Sequence, residues 1–105
     1  MDESGALSAL SALANKNRLD VVRHLVKAGP DGLAAGEIAK AIGASPSQTS
    51  FHLSALQDGR LITVERQARR MVYRTNFGTF AALVGFIMED CCGGGAFDAG
   101  CCPPD

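Results

Sequence analysis

Residues 35–59 constrain this chain more than any other stretch. Ala35 to Ile42 is a short run with Ile38, Ala39 and Ile42 at helical spacing, and Gly43 follows it. A glycine at that point reads as a left-handed helix cap. Ser45 then offers an N-cap oxygen, and Pro46 takes the first helical position, where a missing N–H costs nothing. The second helix runs to about Asp58 and Gly59 ends it. Short helix, tight glycine turn and polar second helix make a helix-turn-helix pattern.

The flanking segments extend that unit. Leu7, Leu10 and Leu13 recur every three residues and predict a first helix over roughly Glu3–Ala14. Asn15 can cap a second helix with an apolar stripe of Leu19, Val22, Leu25 and Val26. Gly29-Pro30 and Asp31-Gly32 stop it. Beyond Gly59, Leu61–Glu65 and Met71–Thr75 are rich in β-branched and aromatic residues and predict two strands. Gln67 to Arg70 lie between them as a basic hairpin tip. A last helix is expected from Phe77 to about Asp90, with Phe80, Leu83, Val84 and Ile87 on one face. The fold class is thus mainly α with a β-hairpin wing, a winged helix-turn-helix.

With 105 residues the chain is one domain, residues 1–90, and a cysteine-rich tail, residues 91–105. The tail carries Gly93-Gly94-Gly95, Gly100 and Pro103-Pro104, so flexibility is expected there until a ligand binds. Five Phe, one Tyr and no Trp leave the core to Leu, Ile, Val and Ala. Asp2 and Glu3 stand where a signal peptide would be basic, and no apolar run could span a bilayer. A cytoplasmic protein without a membrane partner is expected, and cytosolic thiols stay reduced.

The net charge of −1 argues weakly against nucleic acid, but the distribution of charge points the other way. All ten Lys and Arg lie between Lys16 and Arg74, against seven acids up to Glu65, a balance of +3. From Phe77 onward there are four acids and no bases, a balance of −4. Specific DNA binding depends on a local basic face and not on the sum.

In the helix from Pro46, Leu53 and Leu56 are expected to face the core, while Ser47, Gln48, Thr49, Ser50 and His52 crowd the N-terminal half. A recognition helix inserts that half into the major groove. Gln can pair bidentately with adenine, and Ser or Thr can meet a base or a phosphate. Arg66, Arg69 and Arg70 cluster about the hairpin tip, where a wing touches backbone or minor groove. Lys16 and Arg18 could reach phosphate, although solubility explains them equally. His24 reads as structural.

Ala14-Asn15-Lys16-Asn17-Arg18-Leu19, Ser50-Phe51-His52-Leu53-Ser54-Ala55-Leu56 and the hairpin resemble the ArsR/SmtB family of metal-responsive repressors, over about Leu7 to Asp90. The resemblance implies a homodimer through the first and last helices, and release of double-stranded operator DNA when an inducer binds. Members that sense arsenic or cadmium through the first helix of the reading unit carry Cys-x-Cys there. Ala34 and Gly36 occupy the matching positions here. Members that sense zinc use Asp and His on the last helix, and no His follows His52 in this chain. Cys91-Cys92 and Cys101-Cys102 remain. They resemble the arsenic-responsive branch with ligand cysteines at the end of the last helix.

Soft thiolates select soft ions, and trivalent arsenic or antimony is expected to take three thiolates as a pyramid. Cys91 and Cys92 would give two sulfurs, and either Cys101 or Cys102 the third. No permanently bound cofactor is expected, only As(III) or Sb(III) as inducer. Glu89, Asp90 and Asp98 would tend to raise the thiol pKa values, so binding should release protons and strengthen with pH. Rival readings are a four-cysteine zinc site, a thiol redox switch, a sensor of methylarsenite, cadmium or copper, and a metal-buffering protein that ignores DNA. An enzyme is disfavoured, because no cysteine has a plausible base near it in sequence.

Overall fold

The first helix, α1 (Glu3–Leu13), starts where the Asp2 carboxylate accepts from the Gly5 N–H at 2.7 Å. The computed structural model describes residues 1–89. Asp90 and the tail, with Cys91, Cys92, Cys101 and Cys102, lie outside the described residues. The face α1 buries is mainly alanine, and of the leucine stripe only Leu13 packs against the core. Ala6, Ala9 and Ala12 pack inward, while Leu7 is 59% exposed and Leu10 41%. Small residues let the helix lie close to its neighbour: a Cβ on Gly59 would stand 2.9 Å from the Ala12 Cβ.

In α2 (Lys16–Ala28) the Asn15 amide oxygen accepts from Asn17 N–H at 2.9 Å and Arg18 N–H at 3.2 Å, satisfying two of the orphan donors of the first turn. Val21, Val22 and Leu25 are its buried residues. Leu19 and Val26, expected in that stripe, are exposed. A single 3-10 turn (Gly29–Asp31) leads through Gly32 into a two-residue strand, β1 (Leu33–Ala34), that periodicity did not predict.

The reading unit falls where the sequence places it. Helix α3 (Ala35–Ile42) ends at Gly43 with φ +67°, and α4 (Pro46–Asp58) begins after Ser45. Strands β2 (Ile62–Gln67) and β3 (Arg70–Thr75) pair antiparallel, and β1 joins on the far side of β3, giving the order β1-β3-β2. Leu33 lies opposite Tyr73 and Ala34 opposite Val72. Gln67 pairs with Arg70, so the hairpin turn is only Ala68-Arg69 and not the four residues expected from sequence.

Helix α5 (Phe77–Ile87) is capped by Asn76, whose side chain accepts from Thr79 N–H at 3.3 Å. It touches α1. Only Leu83 is buried, with Phe80 and Phe86 packed against the core. Val84 and Ile87 face outward, Ile87 being 56% exposed. The core itself is aliphatic as expected: Val21, Leu25, Ile38, Leu56 and Leu61 are fully buried. Each such side chain contributes about 1.5–3 kcal/mol relative to exposure.

Candidate nucleic-acid interface

The entry to α4 is a reciprocal cap. The Gln48 N–H donates to Ser45 Oγ at 3.1 Å, and the Ser45 N–H donates to Gln48 Oε1 at 3.2 Å. Two donors of the first turn are thereby satisfied and the helix start is held rigid. The cap has a chemical consequence. Bidentate pairing with adenine needs Oε1 and Nε2 together. One lone pair of Oε1 is held by the Ser45 N–H, which turns that oxygen toward the cap, while the Nε2 donors make no hydrogen bond among the described residues.

Ser47, Gln48 and Ser50 are exposed on α4. Thr49 is not. It is 1% exposed and forms the buried stripe with Leu53 and Leu56, spaced at i, i+4 and i+7. Thr49 is therefore removed from the base-reading set. Its Oγ1 has no hydrogen-bond partner, a cost of about 1–3 kcal/mol for a buried hydroxyl. Thr49→Val keeps the shape and removes that hydroxyl. The expected result is a gain of about 1–2 kcal/mol in urea denaturation with DNA affinity unchanged. A net loss of stability would mean that the hydroxyl has a partner after all.

His52 is half-buried, and its Nδ1 accepts from Arg18 Nε at 3.2 Å. In a neutral imidazole this places the remaining proton on Nε2, the nitrogen left to meet another group. The Arg18 guanidinium also lies over the Phe51 ring, 5.6 Å from its centroid. The Phe51 and His52 rings meet edge to face, 5.8 Å apart. Phe51 is 65% exposed on a helix face it shares with Ser47, Gln48, Ser54 and Ala55. Sequence reading passed over it. Once Thr49, Leu53 and Leu56 define the inner face, helical geometry at 3.6 residues per turn turns Phe51 away from the core.

The wing arginines divide among three settings. Arg69 sits in the turn. Arg66 lies opposite Met71 and Arg70 opposite Gln67, in adjacent pairs of the ladder, so Arg66 and Arg70 leave opposite faces of the hairpin. Arg70 donates to Glu37 of α3 at 2.6 Å, tying the wing to the reading unit. Both groups are solvent-exposed, where an ion pair contributes ~0–1 kcal/mol, so Arg70 can exchange Glu37 for a phosphate. Glu37 also accepts from the Ala34 N–H at 2.9 Å. At the base of the wing, Arg74 joins Glu65 at 3.1 Å and donates to the Pro30 carbonyl at 2.7 Å. Hydrogen bonds from Gln67 and from Arg74, together with the Arg74 charge, hold the Glu65 carboxyl below the usual carboxylate range. Glu37, Glu65 and Arg74 thus brace the wing rather than face a ligand.

Among the described residues no group of three or more His, Cys, Asp or Glu side chains converges as a metal site would. Neither Ala34 nor Gly36 has a donor side chain. No helix among them is long and apolar enough to cross a membrane.

A short helix, a tight turn, an exposed polar helix and an arginine-tipped hairpin define a winged helix-turn-helix DNA-binding protein. The helix-turn-helix domain family matches residues 13–65, half of the chain. The nodulation protein NolR of Rhizobium meliloti is 32% identical over 88 residues, 84% of this chain and 70% of that protein. The HTH-type transcriptional regulator YgaV of Escherichia coli K12 is 31% identical over 87 residues, 83% of this chain and 86% of YgaV. Among solved structures, the homodimeric winged helix-turn-helix domain of Mb0332 from Mycobacterium bovis, a possible ArsR-family regulator, superposes with a TM-score of 0.67 at 27% identity, covering 77% of this chain and 73% of that one. A possible transcriptional regulator for arsenical resistance superposes with a TM-score of 0.67 at 25% identity, covering 76% and 80%. The chain belongs to this helix-turn-helix family and is a transcriptional regulator with the winged fold of ArsR-type regulators.

Proposed function

We propose that the chain represses transcription as a homodimer on operator DNA and leaves it when As(III) or Sb(III) binds the cysteines beyond α5. The observation that carries the DNA half is the outward face of α4, where Ser47, Gln48 and Ser50 stand free of the core on the helix whose Phe51 ring Arg18 covers, with Arg69 in the turn of the wing. Such a face supplies donors to base edges and cations to phosphate. The homodimer rests on Leu7 and Leu10 of α1 and Val84 and Ile87 of α5, which are exposed on two helices that touch, and on the homodimeric Mycobacterium bovis domain. A two-fold pair would set its reading helices about 34 Å apart, one turn of DNA.

The inducer half rests on chemistry. Cys91 and Cys92 follow the end of the α5 segment by a few residues, and Cys101 and Cys102 follow an octet containing four glycines. Three thiolates from that set, Cys91, Cys92 and either Cys102 or Cys101, suit a soft trivalent metalloid. The similarity to a possible regulator of arsenical resistance supports the same assignment. A ligand closing at the end of a dimer helix can shift the spacing of the two reading helices. A coupling of ~1–3 kcal/mol weakens DNA binding roughly 5–150-fold, and operator DNA weakens the metalloid by the same factor. Reduced cytoplasmic thiols fit this role.

The test is a fluorescence-anisotropy titration of an operator selected by the protein itself from random DNA. Arsenite and antimonite should release the DNA, and Cys91→Ser with Cys92→Ser should leave operator affinity intact while abolishing release. Release by zinc or by a thiol oxidant, with arsenite inert, would overturn the metalloid assignment. Absence of any salt-sensitive binding to DNA would overturn the repressor reading itself.

A further inference from the structure

We infer that Phe51 is a base-specificity residue that reads the C5-methyl group of a thymine, and that Arg18 is the positioning residue that aims it. The inference rests on the DNA-binding reading and assigns one of its contacts. An aromatic ring 65% exposed on a helix of this size leaves a large apolar surface in water. Nothing in the core needs it, because Thr49, Leu53 and Leu56 already fill the inner face of α4. Three of its four helical neighbours, Ser47, Gln48 and Ser54, carry hydrogen-bonding groups and the fourth is the small Ala55, so whatever covers Phe51 must be mostly polar with one apolar spot beside it. The floor of the major groove has that character. It presents donors and acceptors at every pair, and the thymine methyl is its one apolar group.

The ring is also held in place. Arg18 covers one side with its guanidinium, 5.6 Å from the centroid, and the His52 edge closes another at 5.8 Å. Arg18 is fixed in turn by its Nε bond to His52 Nδ1 at 3.2 Å. The free guanidinium nitrogens of Arg18 remain available to a phosphate beside the groove. One cation thus links backbone contact to the orientation of the reading ring. Gln48 complements this: with Oε1 held in the cap, its Nε2 donates to an acceptor such as a purine N7 or the thymine O4.

The experiment replaces each thymine of the selected operator, one at a time, with deoxyuridine, which lacks only the methyl. At one thymine in each half-site the wild-type chain should lose about fourfold in affinity, ~0.8 kcal/mol, the value of one buried methyl-sized group. Phe51→Ala should bind the thymine operator more weakly and show no deoxyuridine penalty at that position. Phe51→Leu should restore part of the penalty. Arg18→Met should reduce the penalty without abolishing sequence-specific binding, an effect that loss of a mere phosphate contact would not produce. A Phe51→Ala chain that keeps the full penalty, or a wild-type chain indifferent to deoxyuridine at every thymine, would overturn the assignment. Either outcome leaves the repressor reading standing, since that reading fails only if sequence-specific binding is missing.

Discussion

Gly32→Ala should destabilise the domain by about 3 kcal/mol or more, whereas Gly43→Ala should cost only about 1 kcal/mol. Both glycines lie at positive φ, +64° and +67°. Gly43, with ψ 34°, lies in the left-handed helical region, where an L-residue pays about 1–2 kcal/mol, whereas Gly32, with ψ −171°, lies in a region that essentially only glycine adopts. Their surroundings differ. A Cβ at Gly43 meets nothing within 4 Å. A Cβ at Gly32 would stand 2.5 Å from the Tyr73 carbonyl oxygen, 2.8 Å from Val72 Cγ1 and 2.9 Å from Arg74 Cγ. The carbonyl cannot withdraw, because Tyr73 is paired to Leu33 on one side and Val64 on the other. The strain must instead break β1 from β3 and loosen the Arg74 bond to Pro30, on which the wing is braced. At roughly 4–8 °C per kcal/mol for a domain of this size, the melting temperature should fall by about 12–24 °C for Gly32→Ala. Measured at one protein concentration, equal losses for the two variants would show that β1 yields freely.

Charging the outer faces of α1 and α5 should have the larger effect on function. In Leu10→Glu with Ile87→Glu both altered side chains are exposed within the single chain, so its far-ultraviolet dichroism should be unchanged. In the proposed homodimer the same side chains would be buried together, and an unpaired charge in such a core costs several kcal/mol. The doubly charged chain should sediment as a monomer. Its affinity for a two-half-site operator should fall at least about 100-fold, since ~3 kcal/mol is lost when only one reading helix can engage. A chain that still sediments as a dimer would move the interface elsewhere.

The elements of this fold were legible wherever a single residue type does a local job. Asn15 and Ser45 accept from the free N–H groups of the helix starts, and Gly43 takes the left-handed cap, so the starts of α2 and α4 and the end of α3 stand where the sequence puts them. The failures have a common cause. The leucines of α1 carry its strongest period, yet the alanines between them face the core, because the close approach to Gly59 leaves room only for small side chains. Thr49 reads as one more polar residue among serines, and only the packing of α4 shows that it lies in line with Leu53 and Leu56. The hairpin turn lacks the glycine or asparagine that usually marks a two-residue loop, since Ala68 itself adopts φ +54°. The two residues of β1 are too few for any period.

By itself, the sequence determined that this is a helix-turn-helix protein with a hairpin wing, that its lysines and arginines all lie between Lys16 and Arg74, and that its thiols follow the last helix. Caps, turns and composition act over a few residues, so they can be read one segment at a time. Only the tertiary structure decided which side chains of α4 face outward, that Arg70 rests on Glu37 and that Arg18 reaches Phe51 and His52. Those contacts join residues more than thirty positions apart. They exist because the packing of α2, α3 and β3 about one aliphatic core brings them together, and packing leaves no local mark in the chain.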